Sequence, residues 1–235
     1  MSVSRSNTIL FLLASITAIA TFVMTAQADN DEGAAAPLPS PTLDVELSDE
    51  RAEAYFAGGC FWCLEADFDK VAGVVETISG YTGGDVENPT YKQVTYKNTG
   101  HYEAVKVVYD PQTVTYSELV DYFWRHIDPT DGGGQFCDRG FSYLTGIFPS
   151  TAAESEIANQ SKAAIDASGV LGNPIVTKIA DYKKFWPAEG YHQDYYLKNR
   201  LHYARYRRGC GRDRRVADVW SGEALVESSA NAHGS

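Results

Sequence analysis

The sequence predicts an α+β domain of two layers over residues 51–222, with helices packed on a mixed sheet. Three observations point there. Strand-like and helix-like segments interleave along this stretch instead of segregating into blocks. Residues 103–109, EAVKVVY, alternate apolar and polar as a strand does. Residues 151–168, TAAESEIANQSKAAIDAS, open with Thr151 and Glu154 in a capping-box pattern and continue at helical spacing. No internal repeat interrupts the order.

Residues 51–57, RAEAYFA, read as a short strand running into Gly58 and Gly59. From 61 to 71 the spacing is helical, with Leu64, Phe68 and Val71 on one side and Glu65 and Asp69 on the other. The β-branched stretch 73–81, GVVETISGY, predicts a second strand, and residues 81–84 with Asn88-Pro89 mark a loop. After the strand at 103–109, residues 115–127 have helical spacing and 128–140 form a glycine-rich loop. Residues 141–148 and 175–180 read as strands on either side of the 151–168 helix, and a last helix is expected over 192–206.

The flanks read differently. Residues 1–28 carry one early positive charge at Arg5, an apolar run from 9 to 23, and the small-residue pattern Ala26-Gln27-Ala28. Ser15, Thr17 and Thr21 interrupt the run, which is shorter than the roughly 20 residues a spanning helix needs. A cleavable signal peptide ending at Ala28 is expected, with an exported, periplasmic product and no stable membrane insertion afterwards. Residues 29–50 are rich in Pro, Ala and acid and read as a disordered linker, and 223–235 as a small, polar, flexible tail. The formal charge of −11 repels phosphate backbones, which argues against nucleic acid as a partner. The arginine-rich stretch 203–215 reads as a solvated face or a set of salt-bridge donors.

The chemistry-bearing motif is GGCFWCLEADF, residues 58–68, which sets Cys60 at a strand-to-helix turn. A thiol at a helix N-terminus meets unpaired N–H groups and the positive end of the helix dipole, and both favour the thiolate. Gly58 and Gly59 let the backbone approach a ligand. Cys63 lies at i+3, on the same helix face, within disulfide reach of Cys60. So short a loop constrains an unfolded chain little, so such a bridge suits switching better than stapling. Zinc would need a second close pair of Cys or His, whereas Cys137 and Cys210 are isolated and His126, His192 and His202 show no matching spacing. No metal site is expected. A thioredoxin-like motif calls for compact residues between the sulfurs, and here Phe61 and Trp62 would make an apolar wall instead.

GGCFWCLEADF, GYTGG, NPTYKQVTYKNTGHYEAVKVVYDP and YHQDYYLKNR together resemble the A-type peptide methionine sulfoxide reductases over residues 52–221. The resemblance implies a ferredoxin-like α/β plait with long irregular loops, and thiol-dependent reduction of methionine-S-sulfoxide, free or in proteins. It implies Cys60 as nucleophile, Phe61 and Trp62 as an apolar cage for the substrate methyl, and Glu103 as the acid that protonates the departing oxygen. It implies Tyr91 and Tyr143 as phenols on the sulfoxide oxygen, and Asp138 as a carboxylate ordering polar groups or water. The segment DRGFSYLT, residues 138–145, departs from the family pattern in placing Ser142 before the tyrosine, which bears on the surroundings of the site. His101 and His192 are expected beside the pocket. A sulfenic acid on Cys60 would condense with another thiol: Cys63 first, Cys210 in a glycine-flanked mobile segment as a second relay, Cys137 last. The cycle then needs no cofactor but an external thioredoxin-like dithiol, and the chain is expected as a monomer. Two rivals remain: a secreted thiol-disulfide oxidoreductase, and a non-catalytic module stapled by two disulfides.

Overall fold

β3 (Tyr102–Tyr109) lies at the middle of the sheet, antiparallel to β1 (Ala52–Gly58) on one side and β2 (Val74–Thr82) on the other. The computed structural model of the chain describes residues 51–221, so the expected signal peptide, linker and tail lie outside the described residues. β1 continues outward to β6 (Thr145–Ile147), and β2 to the two-residue β8 (Trp186–Pro187). β7 (Lys178–Ile179) joins β6 in parallel, giving a mixed six-stranded order β7-β6-β1-β3-β2-β8. With α1 (Phe61–Phe68) after β1 and α3 (Tyr116–Trp124) after β3, the inner strands β6-β1-β3-β2 form the expected ferredoxin-like plait.

Both faces of β3 and of the C-terminal part of β1 are buried, so these read as nearly continuous apolar runs, while β2 is buried only towards its C-terminal end. Along β1, Ala54 and Phe56 point into the core under the helices, while Tyr55 and Ala57 face a second cluster. Phe56 stacks on Phe68 of α1 at 5.0 Å and on Phe123 of α3 at 5.1 Å, which fixes both helices on one face. The opposite face is covered by irregular chain, with Tyr182 stacked on Tyr55 at 4.3 Å. α4 (Ala152–Ser168) starts at Thr151, whose hydroxyl accepts from Glu154 N–H, and ends at Gly169 with φ +68°.

Four segments differ from the sequence expectations. The stretch 141–148 is not one strand. Gly140 takes φ +116° and starts a 3-10 turn, Phe141–Tyr143, before β6. The 128–140 loop contains a small hairpin, β4 (Gly134–Gln135) with β5 (Asp138–Arg139). Residues 91–96, given no element from the sequence, form α2 (Tyr91–Tyr96), with Thr90 and Gln93 making a reciprocal capping box. The last helix divides at Asn199 into α5 (Tyr195–Lys198) and α6 (Arg200–Gly209), and a further helix, α7, follows at 212–221. No described helix is long and apolar enough to cross a membrane.

Candidate active site

Everything at the site is built around the turn from β1 into α1. Gly59 takes φ +83°, and a Cβ added there would sit 2.6 Å from Gln135 Cβ. Only glycine serves both the left-handed backbone and that close approach. The turn presents Cys60 as the N-cap of α1, its carbonyl accepting from Cys63 N–H at 3.1 Å. The first free helical N–H, that of Phe61, donates to Glu103 Oε2 at 3.1 Å. A carboxyl from β3, paired across the sheet with Tyr81, thus closes the helix N-terminus that no local side chain caps.

A cavity of 230 Å³ opens there, lined by Cys60, Phe61, Trp62, Tyr91, Glu103, Asp138, Tyr143 and Tyr206. Seven of these were singled out from sequence and Tyr206 was not. Tyr91 enters as the first residue of α2, with its N–H held by Glu189 Oε1 at 2.9 Å. The other oxygen of Glu189 accepts from Tyr81 at 2.9 Å. Tyr143 enters from the 3-10 turn and Asp138 from the hairpin. Trp62 lies flat on Tyr195, with centroids 3.7 Å apart. Its indole N–H donates to His192 Nδ1 at 3.0 Å. His192 is therefore the neutral tautomer with its proton on Nε2, consistent with burial holding its pKa below the usual value. His101 accepts from Gly84 N–H through Nδ1 at 3.2 Å and donates through Nε2 to Val86 O at 2.8 Å, pinning the loop that precedes α2.

Burial dominates the electrostatics. It pushes the Glu103 carboxyl up to about 8, against the Phe61 N–H, and nearby Asp138 adds to the rise. The acid is therefore protonated at neutral pH. Cys60 does not follow the expectation of a lowered pKa. Burial raises it, and its sulfur also faces Cys63 and Glu103, so the helix terminus is outweighed. Cys63 behaves oppositely. A hydrogen bond from Cys60, with the Arg212 and Arg207 guanidiniums nearby, brings it down to about 7 against burial.

Those two arginines belong to a buried network that hydropathy did not signal. α1 hides Glu65 and Asp67, although its spacing had placed Glu65 on an outer face. Arg207 of α6 pairs with Asp67 Oδ1 at 2.9 Å. Arg212 donates to Gly58 O at 3.1 Å and His126 O at 2.8 Å, with Nε 3.7 Å from Asp67 Oδ2. The segment carrying Cys210 is thus anchored under the active turn and is not the mobile arm expected from its glycines. Cys210 is joined in a disulfide to Cys137, with Cα atoms 4.8 Å apart, while Cys60 and Cys63 are free and buried. Neither Cys210 nor Cys137 is bonded to the inner pair. Among the described residues, one group of His, Cys, Asp or Glu brings ligand atoms close enough for a metal ion: Cys137, Asp138 and Cys210, whose two sulfurs are already bonded to each other.

Signals for the missed residues were present. Tyr206 precedes Cys210 by four, hence on one helix face. Thr90 and Gln93 before Val94 are a capping-box pattern for α2. Glu189 carried no sequence signal.

A family model described as peptide methionine sulfoxide reductase matches residues 52–224. The chain is 53% identical over 177 residues to peptide methionine sulfoxide reductase MsrA 2 of Rhizobium meliloti, covering 75% of this chain and 87% of that protein. It is 50% identical over 183 residues to the MsrA/MsrB protein of Vibrio cholerae, covering 78% of this chain and 48% of that protein, so it spans about half of that relative. Among solved structures it is similar to the reduced form of Mxr1 from Saccharomyces cerevisiae. That pair is 32% identical with a TM-score of 0.60, over 64% of this chain and 86% of the other. It is also similar to methionine sulfoxide reductase A of Corynebacterium diphtheriae, at 34% identity and a TM-score of 0.58, over 64% and 76% of the two chains. With the matched region running from the first residue of β1 past the last described helix, the chain belongs to the peptide methionine sulfoxide reductase family.

Proposed function

We propose that this chain reduces methionine-S-sulfoxide, free or within proteins, to methionine, with Cys60 as the attacking sulfur. One observation carries the reading: a buried thiol, two aromatic walls and a carboxylic acid kept neutral to about pH 8 share one 230 Å³ cavity. Phe61 and Trp62 form the apolar side that suits an S-methyl group. Tyr91 and Tyr143 offer phenol donors to the sulfoxide oxygen, and Asp138 orders that polar side. Burial holds both phenols neutral, so their protons stay available for hydrogen bonding. As the Cys60 sulfur bonds to the sulfoxide sulfur, Glu103 gives the oxygen its proton. In that adduct the oxygen then forms its bond to the Cys60 sulfur as both the substrate S–O bond and the new S–S bond break, methionine leaves with its thioether electron pair, and Cys60 is left holding the oxygen as a sulfenic acid.

Cys63, one helical turn away, closes the chemistry by condensing with that sulfenic acid, forming a Cys60–Cys63 disulfide and water. An external dithiol of the thioredoxin type returns both sulfurs to thiols and is itself oxidised. Cys210 enters as a second relay only once its bridge to Cys137 is opened. The reading includes export through residues 1–28, action as a monomer in the periplasm, repair of oxidised proteins there, and no resident cofactor. The test supplies N-acetyl-methionine-(S)-sulfoxide and a dithiol, with insulin reduction as the parallel arm. Methionine formation that vanishes in Cys60→Ser is expected. Insulin reduction without methionine formation would turn the reading over to disulfide exchange.

A further inference from the structure

The Cys137–Cys210 bridge stands outside the step just described, yet it is tied to the pocket by the residues beside its two sulfurs. Cys137 occupies the exposed tip of the β4–β5 hairpin, and Asp138 follows it directly. Cys210 caps α6, its N–H donating at 2.9 Å to the carbonyl of Tyr206 one turn earlier. Asp138 and Tyr206 then meet: the Tyr206 hydroxyl donates to Asp138 Oδ2. Both line the cavity with Cys60, and the Tyr206 ring packs edge-on against Trp62 at 5.8 Å. The Tyr206 side chain thus shares the cavity wall with the Cys60 sulfur. α6 is anchored to α1 through Arg207. The hairpin also packs inward, with Gln135 hydrogen-bonded to Asp128 and Phe136 under the Arg212 guanidinium at 4.7 Å, while Arg139 pairs with Asp131 inside the same loop. The bridge and the Tyr206–Asp138 hydrogen bond are what join the tip to α6 itself.

We infer that the Cys137–Cys210 disulfide is a brace for the pocket, and that it holds Tyr206 as a further catalytic residue whose hydroxyl steadies the Cys60 thiolate during attack. The inference rests on the reading of Cys60 as the attacking sulfur. One O–H serves one acceptor at a time. Asp138 takes it in the resting site, and the sulfur takes it as charge collects there. A bridge one and four residues from these contacts keeps the phenol within reach of both. In this role the bridge carries no electrons. It acts on the first chemical step, whereas a relay would act only on recycling.

The two roles separate in a single-turnover experiment on the full chain. Protein with Cys60 and Cys63 reduced is freed of reductant and mixed with N-acetyl-methionine-(S)-sulfoxide, and the first equivalent of methionine is timed. Tyr206→Phe is expected to slow that release about tenfold, the size of one lost hydrogen bond to a charged group. It should also move the midpoint of Cys60 alkylation by iodoacetamide to higher pH, a shift that altered packing alone would not give. Cys63 and Glu103 keep their own contacts with Cys60 in that variant, while Asp138, which loses the phenol donor and so rises, can only lessen the shift by shedding charge. Cys137→Ser/Cys210→Ser should show the same slowing and the same midpoint, and Tyr206→Phe added to it should slow release no further. If that variant fails to fold, wild-type protein with the bridge left closed or opened by limited dithiol makes the same comparison. A wild-type burst rate in the bridge-less protein, with loss confined to multiple turnover, would make the bridge a relay and overturn the inference. A wild-type rate in Tyr206→Phe would overturn it equally. Absence of methionine from the wild-type chain would instead sink the reductase reading itself.

Discussion

Glu103 reaches across from the sheet to accept the first N–H of α1, that of Phe61, at 3.1 Å. One carboxyl therefore caps α1 and, in the proposed reaction, is also the proton source beside Cys60. Its burial sets a pH signature. The folded carboxyl stands at about 8 against an ordinary value of 4.5. A carboxyl raised in the folded state contributes stability that is complete below the unfolded value and is lost as pH rises towards the folded one. The slope is about 1.4 kcal/mol per pH unit. Glu103→Gln does not titrate, so its stability relative to wild type should improve by about 4 kcal/mol between pH 5 and pH 8. Urea unfolding at the two values measures this. Glu65, raised to about 7 by its own burial, is common to both proteins and cancels in the difference. The same variant should release methionine at least about 100-fold more slowly, the usual weight of a positioned acid. Unfolding curves that stay parallel across the range would show Glu103 to be ionised in the native state.

Cys63→Ser separates attack from resolution. Cys60 remains beside Glu103 and the aromatic walls, so the variant should yield one equivalent of methionine and stop at the sulfenic acid. A dimedone adduct on Cys60, found by mass spectrometry, records that state. Continued turnover with a disulfide from Cys60 to Cys210 would mean that the outer pair opens and resolves in its place.

Arg212 is expected to be a structural anchor of the active turn. It is 2% exposed and holds Gly58 O, His126 O and Asp67 at once. Arg212→Met leaves Asp67 with Arg207 and Lys70, both on its Oδ1 side, strands Oδ2 in a dry site, and should cost about 3 kcal/mol. Asp67→Asn added to it removes the stranded charge and should restore part of the loss. Equal melting temperatures for the single and double variants would exclude coupling between the two groups.

The inner plait was legible because β1, β2 and β3 read as strands on their own, and the pocket residues because segments such as GCFW and TGHYE carry the resemblance. What escaped depends on contacts distant in sequence. Glu65 looks solvated by helical spacing yet is buried against the Asp194 N–H, and Asp67 beside it is buried against Arg207 and Arg212, partners far along the chain that no local pattern encodes. The glycines around Cys210 suggested mobility, but the arginines on either side fix the segment. Cys60 at a helix start promised an acidic thiol. The cavity that makes it useful also removes it from water, and burial outweighs the dipole.

Gly59 offers the sharpest check on how closely the turn is built. Its φ of +83° costs an alanine roughly 1–2 kcal/mol by conformation alone. The new Cβ would in addition fall 2.6 Å from Gln135 Cβ, so something must move. Gln135 is poorly placed to yield. Its amide holds Asp128 from both sides, accepting from Asp128 N–H at 2.9 Å and donating to Asp128 O at 2.8 Å. The strain should therefore pass into the turn itself and tilt Cys60 relative to Glu103. Gly59→Ala is expected to lower both stability and the rate of methionine release, and Gln135→Ala alone to lower stability through its lost hydrogen bonds. Combined, the two should be less damaging than their sum, because removing the glutamine side chain clears the space that the new methyl needs. A double-mutant cycle in urea measures that coupling. Strict additivity would mean that the backbone conformation, and not the approach of Gln135, is what reserves this position for glycine.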